Sequence, residues 1–447
     1  MIKKKSITVT VWLLVIPIFT LYFASNSCNK DKKANDFNVV LIVIDALRSD
    51  HLPFYGYEKN TAPFLWELSK KSVVFENVFS TSSWTSPATA SIFTSLYPFQ
   101  HGVLMGLLAV RNAQQIDPNI KVNKIPEEIE TIAEVLKKRG YQTYGISDNL
   151  NIGKMEGFTQ GFDKFKTFMY EKAPAVNAVV KKWKKELLAN GKYFLYIHYM
   201  EPHAPYHARK PWYKHNEDSR KSNISAYDSE INFVDQHIKE LFEFFQWEKN
   251  TLLIITADHG EGLWDHGLMA HGNTLYREEI QVPLMFYFPG GTTPGRISTN
   301  VSLIDIIPTV RELTGLPGDK NNEGVSLVPM IKNRECDLLN KRNLFSYLWL
   351  KTKGGKINNL KEIEWKTTIY KKWHLIIKMP EKRRLYSLLL DKKERENKFE
   401  AARDTAAQLE KRFENFMKKS KKYKQESVKH KLDKKETDKL KSLGYVR

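Results

Sequence analysis

Cysteine is almost missing: Cys28 and Cys336 are the only two among 447 residues. That excludes a disulfide-stapled scaffold and a cysteine-rich zinc module. No internal repeat is visible, which excludes a solenoid or a propeller. Acidic side chains are also in deficit, 51 against 70 Lys and Arg, for a formal net charge of +19. A surplus of this size points to nucleic acid, an anionic membrane surface or an anionic substrate, depending on where it sits. Residues 1–36 hold six basic and two acidic side chains, and residues 381–447 hold 22 and 12. The 42 basic and 37 acidic groups of residues 37–380 nearly balance. A body so close to neutral is not that of a nucleic-acid binder. Apolar residues are not scarce: 42% hydrophobic and 12% aromatic suffice for a sizeable core, in one large domain or two.

Lys3, Lys4 and Lys5 precede an uncharged run from Ser6 to Ser27. A basic cluster, an apolar stretch and small polar residues describe an export signal. Cys28 after Ser27 resembles a bacterial lipoprotein signal, although Ser25 stands where an aliphatic residue is usual. The run is also near the roughly 18–20 residues that span a bilayer, so an uncleaved anchor is the second reading. Either way the body is exported and held to the cell envelope. With Cys28 as lipid anchor, Cys336 has no disulfide partner. Residues 29–37 read as a tether.

From Asn38 buried-strand patterns alternate with helices. Strands are expected at 39–44, 73–79, 141–147, 193–199, 252–257 and 282–288, and helices at 63–71, 127–139, 224–245 and 304–313. This rhythm is α/β, a large mostly parallel sheet sandwiched by helices. Beyond about residue 335 short strands at 343–349, 366–370, 373–378 and 384–390, then a helix at 401–418, predict a small antiparallel sheet and a helix. The organisation is a signal or anchor at 1–28, the tether, a catalytic domain at 38–335, a subdomain at 336–420 and a solvated basic tail at 421–447.

Candidate chemistry collects at strand ends, where α/β proteins place ligands. Asp45 ends the first apolar strand, and Asp258-His259-Gly260-Glu261 ends another. Carboxylate and imidazole together suit a divalent cation. Thr85-Ser-Pro-Ala-Thr89 reads as a helix start with Thr85 near the N-cap, either a plain cap or a hydroxyl placed as a nucleophile. Five of the twelve histidines, His198, His203, His207, His266 and His271, fall in or beside two post-strand loops. Such histidines ligate metals, bind oxyanions or protonate leaving groups.

In order along the chain these segments resemble the sulfatase family of the alkaline phosphatase superfamily. Val39–Asp45 with Ala46-Leu47-Arg48 and Tyr55-Gly56-Tyr57 resembles the family's first strand and metal aspartate. Thr61-Ala-Pro63 looks like its following helix, and Thr85 to Gly102 like the nucleophile helix. Glu201-Pro202-His203-Ala-Pro205-Tyr206 looks like the active-site histidine loop. Asp258 to Glu261 with His266-Gly267 and His271-Gly272 resembles the second metal segment. Asp305 to Thr309 looks like the late helix, and Leu385-Tyr386-Ser387, Asp391 and Glu394 like the C-terminal strand and turn.

The resemblance implies a metal site of Asp45, Thr85, Asp258 and His259, with Thr85 as nucleophile. It implies His203 and His271 on the oxyanion or leaving group, and Arg48, His198, His266 and Thr89 on the substrate. The ion would be Ca, Mg or Mn, and a second ion such as Zn could sit on His203, His207 and His271. The substrate would be an anionic ester: a glycan, a lipid headgroup or a small molecule. The departures are specific. Thr85 and Thr89 replace the cysteine and arginine of the sulfatase signature, and threonine is not converted to formylglycine. Ala46 stands where many members have a second metal aspartate, and Asn273 and Thr274 where many have a lysine. Threonine nucleophiles occur in phosphodiesterase-like relatives and in phosphoethanolamine and phosphoglycerol transferases. Phosphate esters are therefore expected ahead of sulfate esters, hydrolysis ahead of headgroup transfer, and a non-catalytic binding module last.

Overall fold

In a computed structural model, the structure describes residues 36–429, except positions 115, 190, 291–292, 335, 355–358 and 381, together with Asp438. The signal or anchor, most of the tether and most of residues 430–447 lie outside the described residues. Among the described residues no helix is long and apolar enough to cross a membrane.

The core is an eight-stranded sheet. In chain order its strands are β1 (Asn38–Ile44), β2 (Ser72–Phe79), β3 (Gln142–Ser147), β4 (Lys164–Thr167), β5 (Tyr193–Tyr199), β6 (Thr251–Thr256), β7 (Gln281–Tyr287) and β8 (Gly295–Ser302). Across the sheet they run β8-β2-β7-β6-β1-β5-β3-β4. Only β7 runs against its neighbours; β1 pairs in parallel with β5 and β6, as do β3 with β4 and β5, and β8 with β2. Residues 39–44 of central β1 are all fully buried, which is why it reads as one unbroken apolar run.

The helices form two groups of neighbours. One joins Pro63–Ser69 and Ala173–Lys182 to the long Ser219–Phe245; the other joins α1 (Thr85–Thr94) to Ile132–Lys138 and Ile306–Leu313. The expected sandwich is therefore present. The helix expected from residue 127 begins only at Ile132. The Thr131 hydroxyl accepts from the Glu134 N–H, and the Glu134 carboxylate accepts from the Thr131 N–H, a capping box that fixes the start.

The C-terminal sheet is antiparallel, in the order β9 (Leu344–Gly354), β10 (Asn359–Tyr370), β11 (Trp373–Lys378), β12 (Lys382–Ser387). Helix α2 (Arg403–Lys419) lays Ala406, Leu409 and Phe413 against it and its surroundings. Residues 388–390, expected to continue the last strand, form a turn, with Leu390 89% exposed. Glu394 joins this sheet to the larger body: one carboxylate oxygen meets His374 Nδ1 at 2.5 Å and the other accepts from the Arg277 N–H.

The solvated-tail reading fails at its start. Residues 426–428 form a strand antiparallel to Val122–Lys124, and Lys124 pairs with both Glu127 and Glu426. The Tyr423 N–H donates to the Gln100 carbonyl. A Lys-rich composition hides this pairing, because backbone hydrogen bonds carry it.

Phe413 is 2% exposed within a cluster of Tyr97, Ile304, Phe345 and Tyr347. The substitution Phe413→Ala is expected to cost about 3–5 kcal/mol of stability, read as a lower denaturant midpoint. An unchanged midpoint would show that α2 docks loosely.

Candidate active site

Asp45 sits at the carboxyl end of β1, where its N–H donates to the Tyr199 carbonyl at the end of β5. The chain turns at once through Ala46, whose φ of 58° is left-handed, a conformation that costs a non-glycine residue roughly 1–2 kcal/mol. Tyr227 clamps that turn: its hydroxyl donates to the Ala46 carbonyl at 2.7 Å and accepts from the Arg48 N–H at 2.9 Å. Asp258 and His259 follow β6, the strand beside β1. Asp258 Oδ1 accepts from the His259 N–H at 2.9 Å. The chain then passes so close to Glu278 that a Cβ on Gly260 would lie 2.0 Å from the Glu278 carbonyl oxygen. Only glycine allows this approach.

These two strand ends bring Asp45 and Asp258 together with His198 of β5, all three fully buried, with one ligand atom from each within 4.8 Å of the others. His198 Nε2 is 3.7 Å from Asp45 Oδ2 and 3.8 Å from Asp258 Oδ2. Neither ring nitrogen of His198 nor Asp258 Oδ2 has a hydrogen-bond partner among the described residues. Buried polar atoms without partners are costly, and two carboxylates facing each other more so. A divalent cation would satisfy Asp258 Oδ2 and one nitrogen of His198, so the residues present fit the metal that the resemblance implies. His259 adds to the set: Nδ1 lies 2.8 Å from the Gly260 carbonyl, and Nε2 lies 3.3 Å from Asp45 Oδ1. Burial opposes charging His259, but the Asp258 and Asp45 carboxylates outweigh it and raise it to about 10. Burial likewise pushes the Asp45 carboxyl up, and the imidazoles of His203, His259 and His198 overcome this and hold it far below the usual range.

Thr85 is not a cap. Trp84 is the N-cap of α1, with no side-chain cap bond, and Thr85 is the first helical residue. Its hydroxyl lies 3.2 Å from His259 Nε2 and 3.4 Å from Asp45 Oδ2, at 3% exposure. The loop before it is pinned from two sides, by the Tyr347 N–H on the Thr81 carbonyl and the Gly272 N–H on the Ser83 carbonyl. Thr89, one turn further, is fully buried and its hydroxyl has no partner among the described residues.

Three histidine rings form a row beside this centre. His259 and His271 have centroids 4.3 Å apart, and His271 and His203 4.7 Å. His271 Nδ1 faces the buried Glu261 carboxylate at 3.3 Å. Burial pulls His203 down, and its Nδ1 lies 2.5 Å from the Ala204 carbonyl. His207 is exposed, and among the described residues the trio His203, His207 and His271 does not converge as a metal cluster. The second-ion expectation thus finds no prearranged ligand set there.

Three residues expected at the substrate are placed elsewhere. His198 lies with the carboxylates, in the metal set. Arg48 is 4% exposed and spends its guanidinium on Asp50, Asp265 and the Glu261 carbonyl. His266 uses both nitrogens, on Glu278 and on the Glu394 carbonyl, and stacks at 3.7 Å on Tyr276. Both side chains are held by carboxylates, of which Asp265, 217 positions from Arg48, is not revealed by sequence spacing. Conversely, Asn149 was missed: its Nδ2 donates to Asp45 Oδ2 at 2.7 Å and reaches Thr85 Oγ1 at 3.5 Å. Its signal was available, since it follows the end of β3 by two residues.

A family profile described as Sulfatase matches residues 37–316, and one described as N-sulphoglucosamine sulphohydrolase, C-terminal, matches residues 264–422. An ulvan-active sulfatase of Formosa agariphila is 23% identical over 390 residues, covering 74% of this chain and 73% of that protein. Among solved structures, Ps i-CgsB in complex with k-i-k-neocarrahexaose superposes with a TM-score of 0.68 at 16% identity, over 92% of this chain and 98% of that one. The phosphonate monoester hydrolase SpPMH of Silicibacter pomeroyi gives 0.64 at 17% identity, over 86% and 94%. At these identities the structural likeness establishes the fold.

The substitutions Asp258→Asn and His198→Ala are each expected to weaken divalent-cation binding by at least about tenfold in calorimetric titration. His266→Ala is expected to leave that affinity within about twofold and to lower thermal stability instead. Wild-type cation affinity in His198→Ala would remove His198 from the metal set.

Proposed function

The chain belongs to the sulfatase family, as an ester hydrolase of that family, and we propose that Thr85 is its nucleophile and a phosphoric ester its first class of substrate. The observation that carries this reading is the Thr85 hydroxyl, buried at the head of α1, free of any capping bond and within 3.4 Å of both Asp45 and His259. Asp45, Asp258, His198, His259 and Thr85 would hold the cation. When bound, the cation supplies charge that lowers the hydroxyl's pKa and neutralises the substrate oxyanion. Asn149 orients the Asp45 carboxylate, and the start of α1 offers N–H groups to the anionic ester. Thr85 Oγ loses its proton to solvent and attacks phosphorus in line, the P–O bond to the alcohol breaks, and water then hydrolyses the threonyl phosphate and restores the Thr85 hydroxyl. His271, held by Glu261, gives a proton to the departing alkoxide, and His203 contacts an oxyanion oxygen.

Sulfate esters of glycans are the second reading. Two relatives favour it: one is ulvan-active and the other is complexed with a neocarrahexaose. A third, the phosphonate monoester hydrolase, favours the phosphorus reading.

Thr85→Ala is expected to abolish turnover by about three orders of magnitude or more, while Thr85→Ser retains part of it. A parallel screen of aryl phosphate, phosphodiester, phosphonate and aryl sulfate substrates assigns the ester class. Full activity in Thr85→Ala would overturn the nucleophile, and exclusive aryl sulfate turnover would reverse the substrate order. Adding an alcohol acceptor separates hydrolysis from transfer.

We also propose export with a lipid anchor at Cys28. Cys28→Ala should move the protein out of the membrane fraction and abolish lipid labelling. Unchanged membrane association would favour the uncleaved anchor.

A further inference from the structure

A cavity of about 670 Å³ opens where the edge strand β8 meets the β10–β11 turn and a face of α2. It shares no lining residue with the metal set, Thr85 or the histidine row. Its lining is chemically one-sided: four cationic residues, two aromatic rings, several amides and hydroxyls, and no Asp or Glu. Arg342 is committed, forked onto Asp305. The other three cations are arranged on the rings. The Arg412 guanidinium lies 4.2 Å from the Tyr370 ring centre, with Lys371 at 5.5 Å; Lys372 lies 5.4 Å from the Trp373 ring. Among the described residues the Arg412 guanidinium has one hydrogen bond, to the Asn343 amide oxygen. Both lysines are exposed at the turn, and Leu389, 69% exposed, adds an apolar wall.

We propose that this cavity binds a stretch of anionic glycan, as a second site apart from the catalytic centre. Each part of the lining meets one part of such a ligand. Lysine and arginine take sulfate, phosphate or carboxylate groups. Asn340, Gln408 and Thr405 offer donors and acceptors to hydroxyls. Trp373 and Leu389 meet the apolar face of a sugar ring. A lone inorganic anion would leave most of the volume, the Trp373 ring and Leu389 unused. An anionic membrane would ask for a protruding basic surface, not a concave one walled by amides. The site depends on no catalytic step, so it stands or falls separately from the nucleophile.

The test uses the full chain carrying Thr85→Ala, so that no bound polymer is consumed. Affinity electrophoresis through dextran sulfate should retard it strongly, and through uncharged dextran not at all. Adding Lys371→Ala and Lys372→Ala should weaken dextran sulfate binding by about tenfold. Lys421→Ala with Lys422→Ala removes the same charge elsewhere and should change it by less than about twofold. Trp373→Ala, checked for folding by its thermal melt, should weaken binding without any change in charge. In the Thr85 chain, the double lysine variant should keep its rate on a small aryl ester. Equal loss in the two lysine pairs would reduce the effect to net charge and overturn the proposal. So would binding to anionic phospholipid vesicles that depends on Lys371 and Lys372 while dextran sulfate binding does not.

Discussion

Two carboxylates buried side by side are the constraint on which the rest of this molecule depends. Asp45 and Asp258 end neighbouring parallel strands, so the sheet itself fixes their separation. Withdrawing each charge from water costs several kcal/mol even after relaxation. The fold meets that cost with groups that would otherwise have no reason to be there. An imidazole from β5 sits between them, the Asn149 amide tethers one oxygen, and His259 faces the other. The remaining unpartnered lone pairs define a place for positive charge. Thr85 is the neutral member of the group, and its hydroxyl acquires chemical meaning only from that charge.

Two backbone constraints sit at the same place. Ala46 takes a left-handed φ directly after Asp45, and Gly260 permits a backbone approach directly after His259. Strained positions persist where the surroundings over-determine them. Here Tyr227 grips both sides of the Ala46 turn, and Glu278 and Glu279 carbonyls accept from the Glu261 and Gly260 N–H groups. The C-terminal subdomain takes part in this support. Glu394 ties His374, Arg277 and His266 into one joint, and β9 pins the loop that leads into α1. The small antiparallel sheet is thus a buttress for the catalytic loops.

What the sequence made legible follows from burial. Strands β1, β5 and β6 are buried on both faces and show as continuous apolar runs, and their ends disclose Asp45 and Asp258. The edge strands β4 and β8 were not legible, because no residue of Lys164-Phe-Lys-Thr167 or Gly295-Arg-Ile-Ser-Thr-Asn300 is fully buried, so neither shows a continuous apolar run. Arg48 and His266 look identical in sequence to substrate-binding residues. Only the fold shows Asp265, 217 positions away from Arg48, and Glu394, 128 positions from His266. His198 is the opposite case, a strand residue whose inward side chain belongs with the metal set.

The head of α1 ties the chemistry to the topology. A threonine at an N-cap would spend its hydroxyl on the helix's own N–H groups. Placing Trp84 at the cap shifts Thr85 one position inward, into helical geometry. Its hydroxyl then faces Asp45 and His259 and is not spent on the helix's own N–H groups. One residue of register therefore separates a stabilising cap from a candidate nucleophile. Asp45 can only be bonded by that hydroxyl if the preceding loop holds the helix at the strand ends. The Tyr347 and Gly272 N–H bonds to Thr81 and Ser83 do so, which makes the nucleophile's position a property of both sheets together.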